Sequence, residues 1–200
     1  MELTKKRFGV KEISTLGMLT AVVVVLQFLG SFIKFGTFSV SLVLVPIVIG
    51  AALYGPYAGG WLGFVFSIVV LISGDSAAFL TINVPATIAT CIIKGTFAGL
   101  AAGFVYNAIA RFSFKASKYV ATFAAAIVCP IVNTGIFLIG CRLFFYDTVA
   151  MWGESLGFAN AAAYMFIGLA GGNFLFEVLF NIVISPAIIR IINIRELIKK

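Results

Sequence analysis

The sequence predicts an all-α integral membrane protein, one compact bundle of six transmembrane helices with both termini cytoplasmic. Three observations carry this. Hydrophobic residues make up 62% of 200 and charged residues only 10%, with a mean hydropathy of +1.15. A soluble domain carries about 25% charged residues, so this chain lacks the polar surface that water demands. Apolar stretches recur along its length, and about 20 helical residues cross a bilayer core of about 30 Å. Eleven of the fourteen cations fall in three clusters outside those stretches. They are Lys5, Lys6, Arg7 and Lys11; Arg111, Lys115 and Lys118; and Arg190, Arg195, Lys199 and Lys200. Cations stay on the cytoplasmic side of short loops, so the clusters set both the number of crossings and their direction.

The first apolar segment covers residues 13–33 and follows a basic start, as in a signal peptide. No small-residue cleavage site followed by a soluble domain succeeds it, so it reads as a retained first span. Segments 39–54 and 57–74 are short and are joined by Tyr54-Gly55-Pro56-Tyr57, where Pro56 ends one helix and opens the next. A loop from Ser73 to Asn83 carries Asp75, and the fourth span follows over 85–109. The basic loop with Arg111 leads to span five (120–145), and a loop with Asp147 and Glu154 to span six (163–191). Six crossings put every cluster inside, whereas five or seven would leave one basic end outside. The chain reads as a single domain over 1–200 with no clear internal repeat.

Composition also narrows the chemistry. The net charge of +7 lies at membrane flanks, where anionic lipid accounts for it without nucleic acid. Histidine is absent, and Cys91, Cys129 and Cys141 sit in apolar segments without metal-ligand spacing. No P-loop, GxSxG, HExxH or metal-holding carboxylate cluster occurs, so no enzyme activity, metal or cofactor is expected. A channel calls for a polar ring or a repeated pore helix, and a secondary transporter for two related halves. The pattern shows neither, which leaves a small binding bundle that depends on partners for movement.

Polar groups at bilayer depth cost about 2.5–3.5 kcal/mol when charged, so they face protein or water. Lys94 lies mid-span, with Thr87 and Thr90 seven and four residues before it on one helical face. Two readings stand for Lys94: a structural pair with Glu177, or a cation receiving an anionic ligand group. Span six carries Asn173, Glu177 and Asn181 at successive steps of four, as a binding face or a structural seam. Span five carries Asn133 just after Pro130, and Arg142 nine residues later. An ideal helix puts those two on opposite faces unless Pro130 and Gly135 distort it. Arg142 either snorkels to the interface or reaches the ligand. Among small residues, Gly55, Gly59 and Gly63, and Gly95, Gly99 and Gly103, stand at spacing four, which suits helix packing. Gly17 and Ala21 form a similar notch on the first span, for packing or for another membrane protein. The outer segments, 34–38 and 147–160 with Trp152, serve as interfacial anchors or as lids.

Taken with the length and the six spans, the segment Leu42–Val70, with its P…A-x-x-(Y/F)-GP-x-x-G pattern, resembles the substrate-capture (S) components of energy-coupling factor transporters. The segment Cys129–Cys141 looks similar to the same group but is less diagnostic. The family's first helix commonly carries Ala-x-x-x-Ala, and here Gly17 stands at the first position. The resemblance implies a prokaryotic plasma-membrane importer of vitamins. Helices one to three (1–74) would dock a membrane coupling subunit through Gly17 and Ala21. Helices four to six (85–191) would form an outward-facing cavity, two ATPase subunits would drive the cycle, and the component would topple to release its cargo. Lys94, Thr90, Thr87, Asn133, Asn173, Glu177 and Arg142 are the expected substrate-binding residues. Their cations suggest an anionic vitamin, pantothenate first and a folate-like compound second; thiamine would want more acidic and aromatic lining. The alternatives are a non-transporting scaffold or an autonomous permease.

Overall fold

The computed structural model describes residues 9–32, 34–35, 38–39, 41–112 and 116–198. The expected positions of Lys5, Lys6, Arg7, Lys115, Lys199 and Lys200, and of Gly36 and Thr37 in the outer segment, lie outside the described residues. The fold is all-helical apart from a minimal antiparallel hairpin, β1 (Lys34–Phe35) with β2 (Phe38–Ser39). The helices are α1 (Val10–Ser31), α2 (Leu44–Tyr54), α3 (Pro56–Ile72), α4 (Ala77–Leu80), α5 (Val84–Ala110), α6 (Ser117–Phe144) and α7 (Tyr146–Ser155). The last run comprises α8 (Ala161–Ala163), a π-helical segment (Tyr164–Gly171) and α9 (Gly172–Ile198).

Four of these runs are long and apolar enough to cross a membrane: Val10–Ser31, Val84–Ala110, Ser117–Phe144 and Ala161–Ile194. The two helices at segments 39–54 and 57–74 are shorter, 11 and 17 residues. At 1.5 Å per residue they reach only about 17 and 26 Å. Between them Gly55 takes φ 93°, a left-handed value that glycine adopts without a Cβ penalty, and Pro56 opens α3 where a missing N–H costs nothing. Two expected loops carry helix of their own. The Ser73–Asn83 segment folds into α4, and most of the segment between spans five and six is α7. Asn83 caps α5 by accepting from the Ala86 N–H at 3.1 Å.

Helices α3 and α5 meet backbone to backbone. A Cβ built on Gly63 would lie 2.0 Å from the Gly95 carbonyl oxygen, and one on Gly99 2.0 Å from that of Gly59. Gly103 lies against Pro56 in the same seam. Closely approaching glycines are how helices gain contact where lipid offers no hydrophobic drive. Around this seam one apolar cluster joins α2, α3, α5, α6 and α9 through residues such as Leu44, Ile47, Leu62, Phe66 and Ile188. A second joins Phe79, Phe145 and Val149 to Tyr164 and Leu169 at the other end of the bundle. Large apolar side chains such as Val183 and Leu143 are about 70% exposed (71% and 68%), as a lipid-facing surface requires.

Candidate functional site

Where the two apolar clusters meet, the bundle is hollow. The cavity holds about 790 Å³ of empty space, counting the part open to solvent. It lies at the end of the bundle that carries Ser41, Asp75, Ser76 and Phe145, where α5 begins and α6 ends.

Each wall follows from local structure. Helix α5 brings Thr87, Thr90, Cys91 and Lys94 down one face. The Thr87 hydroxyl donates to the Asn83 carbonyl oxygen at 2.8 Å, a back-bond that a mid-helix threonine commonly makes. Thr90 fits against Gly140 of α6, where an added Cβ would lie 2.5 Å from its methyl group. Lys94 is half-buried, and its Nζ lies over two rings, 5.3 Å from the Phe137 centroid and 5.9 Å from that of Phe66. Both distances suit a cation–π contact. No ion pair within 4.0 Å joins Lys94 to Glu177.

Helix α9, following the π segment, supplies Asn173, Phe174 and Glu177. Glu177 is 5% exposed; its Oε1 accepts from the Ser41 N–H at 3.3 Å and its Oε2 has no partner. Asn181, one turn on, donates Nδ2 to the Glu177 carbonyl oxygen at 2.8 Å and lies outside the cavity wall. Helix α6 contributes Asn133, Thr134 and Phe137.

Six of the seven expected binding residues, Thr87, Thr90, Lys94, Asn133, Asn173 and Glu177, therefore line one hollow. Arg142 does not. It is exposed on the outside of α6, its guanidinium 4.1 Å from the Tyr146 ring centroid. Nine residues beyond Asn133 is half a turn round, and α6 runs unbroken past Pro130 and Gly135.

The cavity is also walled by residues the sequence reading passed over. Gln27 of α1 is 2% exposed and donates Nε2 to Asp75 Oδ2 at 2.6 Å; the Ser73 hydroxyl donates to the same oxygen at 3.2 Å. Phe66 and Val70 come from α3, and Ser41, Asp75, Ser76 and Phe79 from its neighbouring segments. Polar lining thus enters from both ends of the chain. Gln27 was findable by the rule that singles out Lys94, since a carboxamide within an apolar span is also unsuited to lipid. The aromatic wall, with Phe66, Phe79, Phe137, Phe145 and Phe174, also departs from the expectation of sparse acidic and aromatic lining.

On the first helix, Gly17 and Ala21 are exposed, and a Cβ on Gly17 would meet nothing within 4 Å. Their small side chains leave a shallow notch between exposed Ile13, Met18 and Val25.

A family model described as "ECF transporter, substrate-specific component" matches residues 11–189. Among solved structures, ThiT from Listeria monocytogenes, determined by native-SAD phasing, aligns with a TM-score of 0.65. The alignment is 20% identical and covers 89% of this chain and 93% of that one, a likeness of fold. No curated protein matches the chain.

Proposed function

The chain belongs to the family of ECF transporter substrate-specific components, and on that premise we propose that it captures a small water-soluble vitamin from outside the cell for an ATP-driven importer. The observation that carries this is the hollow itself: buried polar groups surround it without partners in the protein. Among the described residues, Gln27 Oε1, Asn133 Oδ1, Asn173 Oδ1 and Glu177 Oε2 are buried acceptors lacking a donor, and all four residues line the cavity. Such atoms normally find a partner. A structural seam would satisfy its members among themselves; this one is built to be completed by a solute.

In this reading the bundle crosses the plasma membrane six times with both termini cytoplasmic. The direction is argued from charge: Arg111 and Lys118 sit where α5 ends and α6 begins, and Arg190 in the later part of α9, away from the end where the cavity opens. The shorter α2 and α3 cross together with the aid of the longer helices around them. A membrane coupling subunit docks on the first half of the chain at Gly17 and Ala21, and two ATPase subunits supply the energy. Arg142 drops out of the binding set and Gln27 and Asp75 enter it, so the case for an anionic cargo such as pantothenate reduces to Lys94.

Thermal unfolding of the detergent-purified protein against a vitamin panel tests capture. One compound is expected to raise Tm by an amount that grows as RT ln(1 + [L]/Kd). A scaffold would respond to none, and an autonomous permease would accumulate solute in liposomes with no ATPase present. Docking is tested separately. Gly17 and Ala21 are both exposed and a Cβ on Gly17 would meet nothing within 4 Å, so with Gly17→Trp or Ala21→Trp vitamin affinity should stay at the parent value while co-purification with the coupling subunit is lost. Loss of both together would place the notch in folding instead.

A further inference from the structure

We propose that the cavity takes a flat cationic ring compound, received by Asp75 and Glu177 and stacked on Phe66 and Phe137 where the Lys94 ammonium now lies. The inference rests on the capture reading and adds the charge class of the cargo.

Charge comes first. Among the described residues, the ionisable side chains other than thiols around the hollow are two carboxylates, Asp75 and Glu177, against one ammonium, Lys94. An entering carboxylate or phosphate would gain one attraction and meet two repulsions in a poorly solvated space.

Hydrogen-bond polarity points the same way. Asp75 can only accept, so Gln27 must turn its amide nitrogen to it, which leaves Gln27 Oε1 as an acceptor without a donor. Both bonds to Asp75 fall on Oδ2, which leaves Oδ1 free. Glu177 Oε2 is likewise without a donor. These orientations are fixed by chemistry, whereas the amide groups of Asn133 and Asn173 can exchange ends and carry no weight. Apart from the Lys94 ammonium, which lies over rings, the unmet demand is for N–H or O–H groups and positive charge.

The rings supply the third argument. Lys94 reaches no carboxylate within ion-pair distance and lies over Phe66 and Phe137 instead. Its ammonium is a tethered stand-in for a cation. A cationic heterocycle offers those faces both charge and ring overlap, and its arrival would release Lys94 from them.

The test uses the purified full chain with thiamine and pyridoxamine as amine-bearing cationic ring probes and pantothenate and folate as anionic ones, read by thermal shift and equilibrium binding. A cationic probe should bind; Asp75→Asn should weaken it at least tenfold, and Lys94→Met, which removes a like charge from the place the cation takes, should tighten it three- to tenfold, an unchanged affinity counting against the stand-in role. The Lys94→Met result does not depend on Asp75→Asn folding. Binding of an anionic probe alone, abolished by Lys94→Met, would overturn the charge class while leaving capture intact. A cation that binds but is lost with Lys94→Met would overturn the stand-in role and with it the proposal. No response to any of the four would remove both the charge class and the capture reading.

Discussion

Gly99→Leu is expected to abolish recovery of monodisperse protein. A side chain at this position would have to enter the backbone of α3: its Cβ would lie 2.0 Å from the Gly59 carbonyl oxygen, 2.4 Å from the carbonyl carbon and 3.0 Å from the Gly60 nitrogen. Extra methylenes in a core that yields by shifting side chains cost about 1–3 kcal/mol. Here the obstructing atoms are main chain, so relief requires separating two helices. That separation would undo the reciprocal contact at Gly63 and Gly95 and the seat of the Ser67 hydroxyl beside Gly95. A domain stable by about 5–15 kcal/mol has little margin for this. Gly135→Ala is the matched control: it also lies in a long apolar helix, and its added Cβ would meet nothing within 4 Å. Size-exclusion profiles should collapse for Gly99→Leu and match the parent for Gly135→Ala. Parent-like behaviour of Gly99→Leu would mean that α3 and α5 are not held in backbone contact.

The glycine seam was legible because spacing four on one helix face has few other uses in lipid. The break at Gly55-Pro56 was legible because both residues restrict the backbone locally. Arg142 and Asn133 were separable by arithmetic on an unbroken helix, since nine residues make two and a half turns and leave the two on opposite faces. The polar stripe Asn173, Glu177 and Asn181 was visible for the same reason, although Asn181 turned out to bond the backbone of its own helix.

What escaped has a common cause. In lipid the outward face of a helix is as apolar as the inward one, so the 3.6-residue alternation that marks a soluble core is erased. The chain has 21 Phe, and nothing in their spacing says which five turn toward the cavity. Asp75 sits in a segment that reads as an outer loop, but it lies just past the end of α3, where Gln27 and Ser73 hold its Oδ2 beside the hollow. The π-helical stretch Tyr164–Gly171 has no residue-level signature either. It coincides with tertiary packing of the buried Tyr164, whose side chain fills the space beside Gly153 and Gly168. A π segment widens the helix, and this one sits just ahead of Asn173 and Glu177.

Glu177→Leu is the second large effect, and the capture reading predicts opposite signs for stability and binding. In the ligand-free protein Glu177 makes one 3.3 Å bond to the Ser41 N–H and leaves Oε2 without a partner. A hydrogen bond to a charged acceptor contributes about 1.5–3 kcal/mol. Replacing buried ionic groups by apolar residues of similar volume is often neutral or stabilising by about 1–4 kcal/mol. Leucine fills comparable space, so the variant should unfold at or above the parent Tm. Binding should move the other way. A desolvated charge partner removed from a complex costs about 2–5 kcal/mol, which is about 30-fold to several thousand-fold in Kd. The same vitamin that stabilises the parent should therefore leave Glu177→Leu nearly unshifted, while Glu177→Gln, which keeps an acceptor, should fall between. Differential scanning fluorimetry with and without the vitamin reads both quantities in one experiment. A structural strut would give the reverse, an earlier melt with affinity retained, and that outcome would take Glu177 out of the binding site.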